Sequence, residues 1–470
     1  MKLFDTATRE KVDFTPIDGK CARMYTCGPT VYNFAHIGNF RAYVFEDILR
    51  RAIQLCGWRV RQVKNLTDVD DKTIRNSRAA GVALRDYTKP YIEAFFSDLK
   101  SLNIQPAEVY PAATDHIPEM IALIEKLFER GLAYQSDDKS VYFSVAKFPN
   151  YGHPAHIDIA GMRGGARVSQ DEYEKESVGD FALWKAWSEE DGDVVWDSPW
   201  GRGRPGWHLE CSAMSMKYLG PTFDLHTGGI DNLFPHHANE TAQSEGATGK
   251  PFALTWLHCA HLRVNGEKMS KSAGNFFTLR DLIAKGWNGR EIRYVLINCH
   301  YRQSLNFTFD ALDSARTALA RIDAFSARLA ERAAGAAPAA ALPDWAKKAE
   351  DALRAALADD LNVPEALASL FTMVRDGNAA LDKGELDPAT AAAVLALLDG
   401  PFALALGVIS FGRRAAEVAV PAEVQKLADE RATARAAKNW AESDRLRDAI
   451  AALGWTVKDS RDGQKLSPKA

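Results

Sequence analysis

Three short stretches carry side chains able to do chemistry. Residues 234–240 read FPHHANE, which sets His236 and Glu240 four apart, and on a helix residues four apart share a face. The pair can point at one metal ion or form a pH-dependent surface pair, and a tetrahedral site needs two more ligands from elsewhere in the chain. Residues 266–275, GEKMSKSAGN, place Lys268 and Lys271 three apart among Gly, Ser and Asn. Such a loop is either a solvated turn or a mobile cationic clamp that closes on a polyphosphate. In PTVYNFAHIGNF, residues 29–40, His36 and Gly38 fall where a strand turns into a helix. An imidazole and free backbone N–H groups there can meet a phosphate or ribose at the positive helix end, or can simply start a helix. Gly38 leaves room for a nucleotide to approach the backbone.

These residues need elements to position them. RMYTCG, residues 23–28, reads as a strand, HIGNFRAYVFEDILRRAIQLCG as a helix with Val44, Ile48, Leu49 and Ala52 at helical spacing, and WRVRQVKNL, residues 58–66, as the next strand. Strand, helix, strand implies a right-handed crossover and a parallel sheet with a ligand crevice at its carboxyl ends. Between about 112 and 200 a helix, hairpin-like segments and the charged MRGGARVSQDEYEKE read as an insertion; sheet-type sequence returns at 222–229 and in LTWLHCAHLRV. Beyond 308 the chain reads as helical and alanine-rich, with AAGAAPAAALPD at 333–344 as a linker, and 421–470 as two helices and a hairpin.

The expected fold class is therefore α/β, and the expected division is as follows. A Rossmann-type catalytic domain occupies 1–111 and 200–255, interrupted by a connective domain at 112–199. A segment at 256–308 carries the lysine loop, a helical bundle spans 309–410, and a small α+β module spans 421–470.

Composition narrows the class. At 470 residues, 46% hydrophobic and 26% charged, the chain is too long for one core and fits two to four domains. No apolar run is read as approaching the roughly 20 residues that span a bilayer, and MKLFDTATRE lacks the apolar stretch of a secretory signal. The expectation is a cytoplasmic protein with no membrane partner. Six scattered cysteines argue against a disulfide framework. A net charge of −4 leaves nucleic-acid binding open, because affinity follows local clusters of Lys and Arg.

Together, HIGN and KMSKS separated by a parallel-sheet pattern resemble the signature pair of class I aminoacyl-tRNA synthetases, His-Ile-Gly-His and KMSKS, with Asn39 in place of the second histidine. The stretches MYTCGPTVYN, NLTDVDDK, WGRGRPGWHLECSAM, DLHTGGIDNLFPHH, EKMSKSAGNFFTLRD and ERATARAAKNWAESDRLRD resemble cysteinyl-tRNA synthetases over nearly the whole chain. The resemblance implies one zinc ion held by Cys27, Cys211, His236 and Glu240, with His237 as a neighbour. The family's HHENE reads HHANE here, and the altered position, Ala238, is not a ligand. It implies catalysis by His36, Asn39, Lys268 and Lys271, and ATP with Mg²⁺ near Gly38, Gly228, Gly229, Asp231 and Lys271. Thr67 and Trp207 are implied for the cysteine pocket, and Arg435, Trp440 and Asp444 for the tRNA(Cys) anticodon. The implied protein is a monomer that joins L-cysteine to tRNA(Cys), with zinc favouring thiol over hydroxyl.

Two alternatives remain. A cysteine ligase acting on an amino sugar shares the zinc and the adenylate but lacks the anticodon module, and a non-catalytic tRNA-binding paralogue would be expected to lose the lysines or the metal ligands. The tail at 421–470 opposes the first, and the retained lysines and ligands oppose the second.

Overall fold

The computed structural model describes residues 1–156, 179–270, 274–411, 421–437, 439–460 and 463–468. It divides into two units, Met1–Phe411 and Gly412–Ala470.

The first unit opens with a hairpin of β1 (Lys2–Asp5) and β2 (Glu10–Asp13). The crossover follows as β3 (Cys21–Thr26), α1 (Ile37–Leu55) and β4 (Arg59–Lys64). Next come α2 (Asp71–Ala80), α3 (Leu84–Ser101) and α4 (Ile117–Glu129), and then an antiparallel sheet of β5 (Ala133–Gln135), β6 (Val141–Phe143), β7 (Phe181–Ala186) and β8 (Gly203–Pro205). The chain returns through α5 (Trp207–Leu219) to β9 (Phe223–Gly229), α6 (Ala238–Thr248) and β10 (Ala253–Cys259).

The four parallel strands lie in the order β10-β9-β3-β4. One crossover leaves β3 toward β4 and the other leaves β9 toward β10, so the winding reverses between β3 and β9. A crevice opens at that point on the carboxyl side of the sheet. Helix α1 is the main support beneath it. Phe40, Val44 and Ile48 bury one stripe of α1 against the sheet, each contributing about 1.5–3 kcal/mol of apolar burial. Gly57 ends the helical run with a φ of 91°, a conformation that a side chain resists.

The inserted region has its own core, including Ile124, Leu127, Phe143 and Trp184. Its fourth strand, β8, lies beyond residue 199, because Gly203 lets the backbone close on β7: a Cβ there would stand 2.2 Å from Lys185 O. The charged stretch MRGGARVSQDEYEKE lies outside the described residues. The stretch LTWLHCAHLRV divides into β10 and β11 (Leu262–Val264), which belong to different sheets. Strand β11 pairs with β12 (Glu267–Lys268) and with β13 (Leu305–Phe307), which follows α7 (Leu279–Ala284) and α8 (Gly289–Ile297).

The helical part comprises α9 (Phe309–Ala333), α10 (Asp344–Ala358), α11 (Val363–Asp382), α12 (Pro388–Leu397) and α13 (Ala403–Leu406). It is locked to the sheet domain by buried arginines. Arg51, Arg290 and Arg293 donate to the carbonyls of Leu404, Val408 and Leu406, and Arg293 pairs with the fully buried Asp47 of α1 at 2.6 Å. One expectation is corrected here. Among the described residues one run, Pro388–Leu406, is 19 residues long and apolar enough by length and composition to cross a membrane. Half of its apolar window is buried, and Ala391, Val394, Leu397 and Phe402 pack into the core of this unit.

The second unit pairs α14 (Ala422–Ala436) and α15 (Trp440–Ala452) with a hairpin of β14 (Trp455–Ser460) and β15 (Gly463–Pro468). Val424, Ala428, Ile450 and Trp455 form its core.

Candidate active site and metal centre

Four side chains from four places in the sequence converge at the crevice. Cys27 follows β3, Cys211 lies in α5, His236 belongs to the irregular turn Leu233–His237, and Glu240 occupies the first turn of α6. All four are buried, and their donor atoms lie within 4.8 Å of one another. Cys27, His226, His237 and Glu240 meet the same distance condition.

The two sets differ in their contacts. Glu240 Oε2 lies 2.8 Å from His226 Nε2, while His237 places Nε2 3.4 Å from Cys27 Sγ and Nδ1 2.7 Å from His258 Nε2. His226 and His237 thus contact Glu240 and Cys27 directly, and His237 is also held by His258. His236 is arranged the other way: its Nδ1 is engaged by His208 at 2.8 Å, and its Nε2 is turned toward Glu240 Oε1, 3.0 Å away. Glu240 Oε1 is buried with no hydrogen-bond partner among the described residues. Two thiols, one ring nitrogen and an orphaned carboxylate oxygen make a donor set suited to a tetrahedral ion.

The protein alone disfavours charge at this point. Contact with Cys211, and then burial, pushes the Cys27 thiol well above its usual range; burial raises Glu240 and lowers His236. A bound cation would reverse the preferences of Cys27 and Glu240 and would suit the neutral His236 ring as it stands. Burial also drives His226 and His258 down to about 3, so both rings are neutral at physiological pH.

The histidine and lysine stretches meet along the same crevice. Ile37 N–H donates to Phe277 O at 3.0 Å, and His36 forms a backbone bridge with Thr278, so the start of α1 is joined to the far end of the lysine loop. The His36 ring stands edge-on to Phe276 at 5.1 Å, and burial lowers its pKa while the charge of Asp231 works against the shift. A Cβ on Gly38 would come 2.9 Å from the His36 ring and 3.1 Å from the Met269 methyl, so glycine is needed for the loop to lie this close. Lys268 is exposed at the end of β12. Asn275 closes the neck of the loop, accepting from Ser270 N–H at 2.8 Å and donating to Lys268 O at 3.3 Å. Lys271 lies outside the described residues. Gly228 and Gly229 end β9, where a Cβ on Gly228 would stand 2.9 Å from the His237 ring. The nucleotide-type and metal-type residues thus share one strand end.

Residues 13–317 match the family of class I (C) tRNA synthetase catalytic domains, residues 352–409 a DALR domain, and residues 417–465 the cysteinyl-tRNA ligase anticodon binding domain. The chain belongs to the cysteinyl-tRNA ligase family. The cysteine–tRNA ligase of Protochlamydia amoebophila is 49% identical over 473 residues, covering 99% of this chain and 97% of that protein. The cysteine–tRNA ligase of Chlamydia pneumoniae is 49% identical over 468 residues, covering 99% and 98%. In fold, the chain is similar to Mycobacterium tuberculosis methionyl-tRNA synthetase in complex with methionyl-adenylate, at TM-score 0.60 and 16% identity over 82% of this chain and 90% of that one. It is also similar to a putative arginyl-tRNA synthetase from Campylobacter jejuni, at TM-score 0.52 and 14% identity over 83% and 92%.

For this ligase family member the remaining expected residues fall in two places. The Trp207 ring stacks on His236, centroids 4.1 Å apart, and Thr67 is buried with its hydroxyl accepting from Asn65 at 3.1 Å. In the second unit, the Arg435 guanidinium lies 5.6 Å from the centroid of the exposed Trp440 ring, and Asp444 lies one turn along α15. Sequence reasoning missed the neighbouring histidines His208, His226 and His258, and also Glu210. Glu210 is buried beside Cys211 with its pKa raised by burial and its Oε2 unpartnered among the described residues. The available signal was a carboxylate inside the otherwise mostly uncharged WHLECSAM and the histidines in DLHTGG and LHCAH.

Proposed function

We propose that a zinc ion held by Cys27, Cys211, His236 and Glu240 selects the thiolate of L-cysteine in the reaction of this family, the ATP-dependent ligation of cysteine to the 3′ end of tRNA(Cys). The supporting observation is the buried, orphaned Glu240 Oε1 facing His236 Nε2 beside two thiols. When bound, the ion would lower the pKa of a thiol and take it as a ligand, which a near-isosteric hydroxyl supplies poorly.

The residues of the chain act by position and charge. Cysteine's carboxylate attacks the α-phosphorus of ATP, giving cysteinyl-adenylate and pyrophosphate; the tRNA 3′-terminal ribose hydroxyl then takes the acyl group. His36 and Asn39, at the positive end of α1, hold the phosphates. Lys268 and Lys271 close on the departing pyrophosphate, and Mg²⁺ accompanies ATP. Gly228, Gly229 and Gly38 admit the nucleotide, and Asp231 accepts from its ribose. Thr67 and Trp207 line the cysteine side. Arg435, Trp440 and Asp444 meet anticodon bases, which suits an exposed indole beside a guanidinium. The reading includes a cytoplasmic monomer and an anticodon-binding segment that an amino-sugar ligase would not need.

The test is charging of tRNA(Cys) with labelled cysteine, and pyrophosphate exchange with cysteine against serine, before and after zinc is removed. Loss of charging with restoration by zinc is the expected result. A metal-free protein that still favoured cysteine over serine by a large factor would overturn the zinc role.

A further inference from the structure

Beside the His36 loop lies an aromatic ledge that the adenylation step does not use. Tyr32 and Phe34 come from the loop before α1, and Tyr87 and Tyr91 from successive turns of α3. The Tyr87 hydroxyl donates to Tyr32 O at 2.9 Å, which ties the loop to the helix. Phe34 meets Tyr91 edge-on at 5.2 Å, and Tyr91 lies 5.4 Å from Tyr87. Despite these neighbours Phe34 stays 38% exposed.

Cations bracket the rings. The Arg280 guanidinium is 4.9 Å from the centroid of Phe34, and the Lys72 ammonium is 5.1 Å from that of Tyr32. Of the acids on the same helices, Asp98 pairs with Arg280 at 2.6 Å and Asp71 with Arg204 and Lys185, while Asp86 and Glu93 of α3 are exposed. An exposed aromatic surface flanked by Lys and Arg suits a single-stranded nucleic acid, whose bases stack on rings while its phosphates meet the cations.

Position selects which strand. His36 follows Phe34 by two residues, within about 7 Å of extended chain. The second step of the ligase reaction must bring a tRNA 3′-terminal ribose up to the adenylate, whose nucleotide is assigned to Gly38 and the end of β9, so the strand has to approach past the neighbouring Phe34. We propose that Phe34, backed by Tyr91, stacks a base of the single-stranded 3′ end of tRNA(Cys), with Arg280 and Lys72 meeting its phosphates, and so aims the terminal ribose at the adenylate. The inference rests on the ligase reading above.

The experiment compares Phe34→Ala and Phe34→Trp with the parent, using tRNA(Cys), the same tRNA without its 3′ CCA, and cysteine-dependent pyrophosphate exchange. Phe34→Ala is expected to lose about tenfold more in charging kcat/KM than in exchange, the size of one lost stack. It should also weaken binding of the full tRNA while binding the truncated tRNA as the parent does, and Phe34→Trp should restore both. An equal loss on truncated tRNA, a parallel loss of exchange, or undiminished charging would each overturn the ledge. A parent protein that charged no tRNA would instead overturn the ligase reading.

Discussion

His36 and Asn39 cap each other at the start of α1. The Asn39 N–H donates to His36 Nδ1 at 3.2 Å, and the His36 N–H donates to Asn39 Oδ1 at 3.1 Å. The side chain that departs from the family's second histidine thus holds the His36 backbone, while the His36 ring is met by a backbone N–H. Asn39→Ala should lower stability by about 1 kcal/mol through the lost cap. It should also slow pyrophosphate exchange more than tRNA binding, because the His36 backbone loses its anchor even though the backbone N–H of residue 39 still meets the ring. Thermal melting and exchange kinetics on the same variant check both parts.

The Asp47–Arg293 pair offers a stability test. Both side chains are fully buried, and Arg293 also donates to Leu406 O and Leu102 O. Arg293→Met should cost about 3–5 kcal/mol, because it leaves a carboxylate buried with one cation fewer. Denaturant unfolding of the two proteins measures the difference; a change below about 1 kcal/mol would show that Arg51 alone satisfies Asp47.

Trp440 should matter for tRNA and not for adenylate. It is 56% exposed in a unit separate from the crevice. Trp440→Ala is expected to reduce charging kcat/KM by about tenfold, one stacked base, with cysteine-dependent pyrophosphate exchange kept. Normal charging by this variant would remove Trp440 from the anticodon contacts.

Asp98 predicts a pH dependence. Burial raises its pKa to about 6 in spite of Arg280 at 2.6 Å. The folded value lies above the unfolded one, so the folded protein binds the proton more tightly. Its contribution to stability is complete below about pH 4 and is lost as pH rises through about 6. Between those limits the parent should lose stability relative to Asp98→Asn as pH rises, which melting curves across pH 4–7 would show. A difference of the opposite sign would mean that the Arg280 pair outweighs burial.

Much of this protein was readable without coordinates. Local periodicity gave away the β3–α1–β4 crossover, the insertion after α3 and the terminal helices and hairpin, because each depends on spacing within a few turns. The family resemblance also singled out Cys27, Cys211, His236 and Glu240, which the fold brings into one buried cluster. The apolar run at 388–406 shows the limit, since hydropathy cannot tell a helix buried in protein from one buried in lipid.

The tertiary structure decided which of the buried polar groups are partners. His226 and His237, far from Cys27 in sequence, meet Glu240, Cys27 and His258 only in the folded chain. Likewise Lys64 is buried against Glu46 on the neighbouring element, and Asp47 against Arg293 from far along the chain. Sequence spacing reports which face a side chain shares with its near neighbours. Burying a charge is tolerated only where the fold brings it a counter-charge, and that meeting is a property of three-dimensional packing.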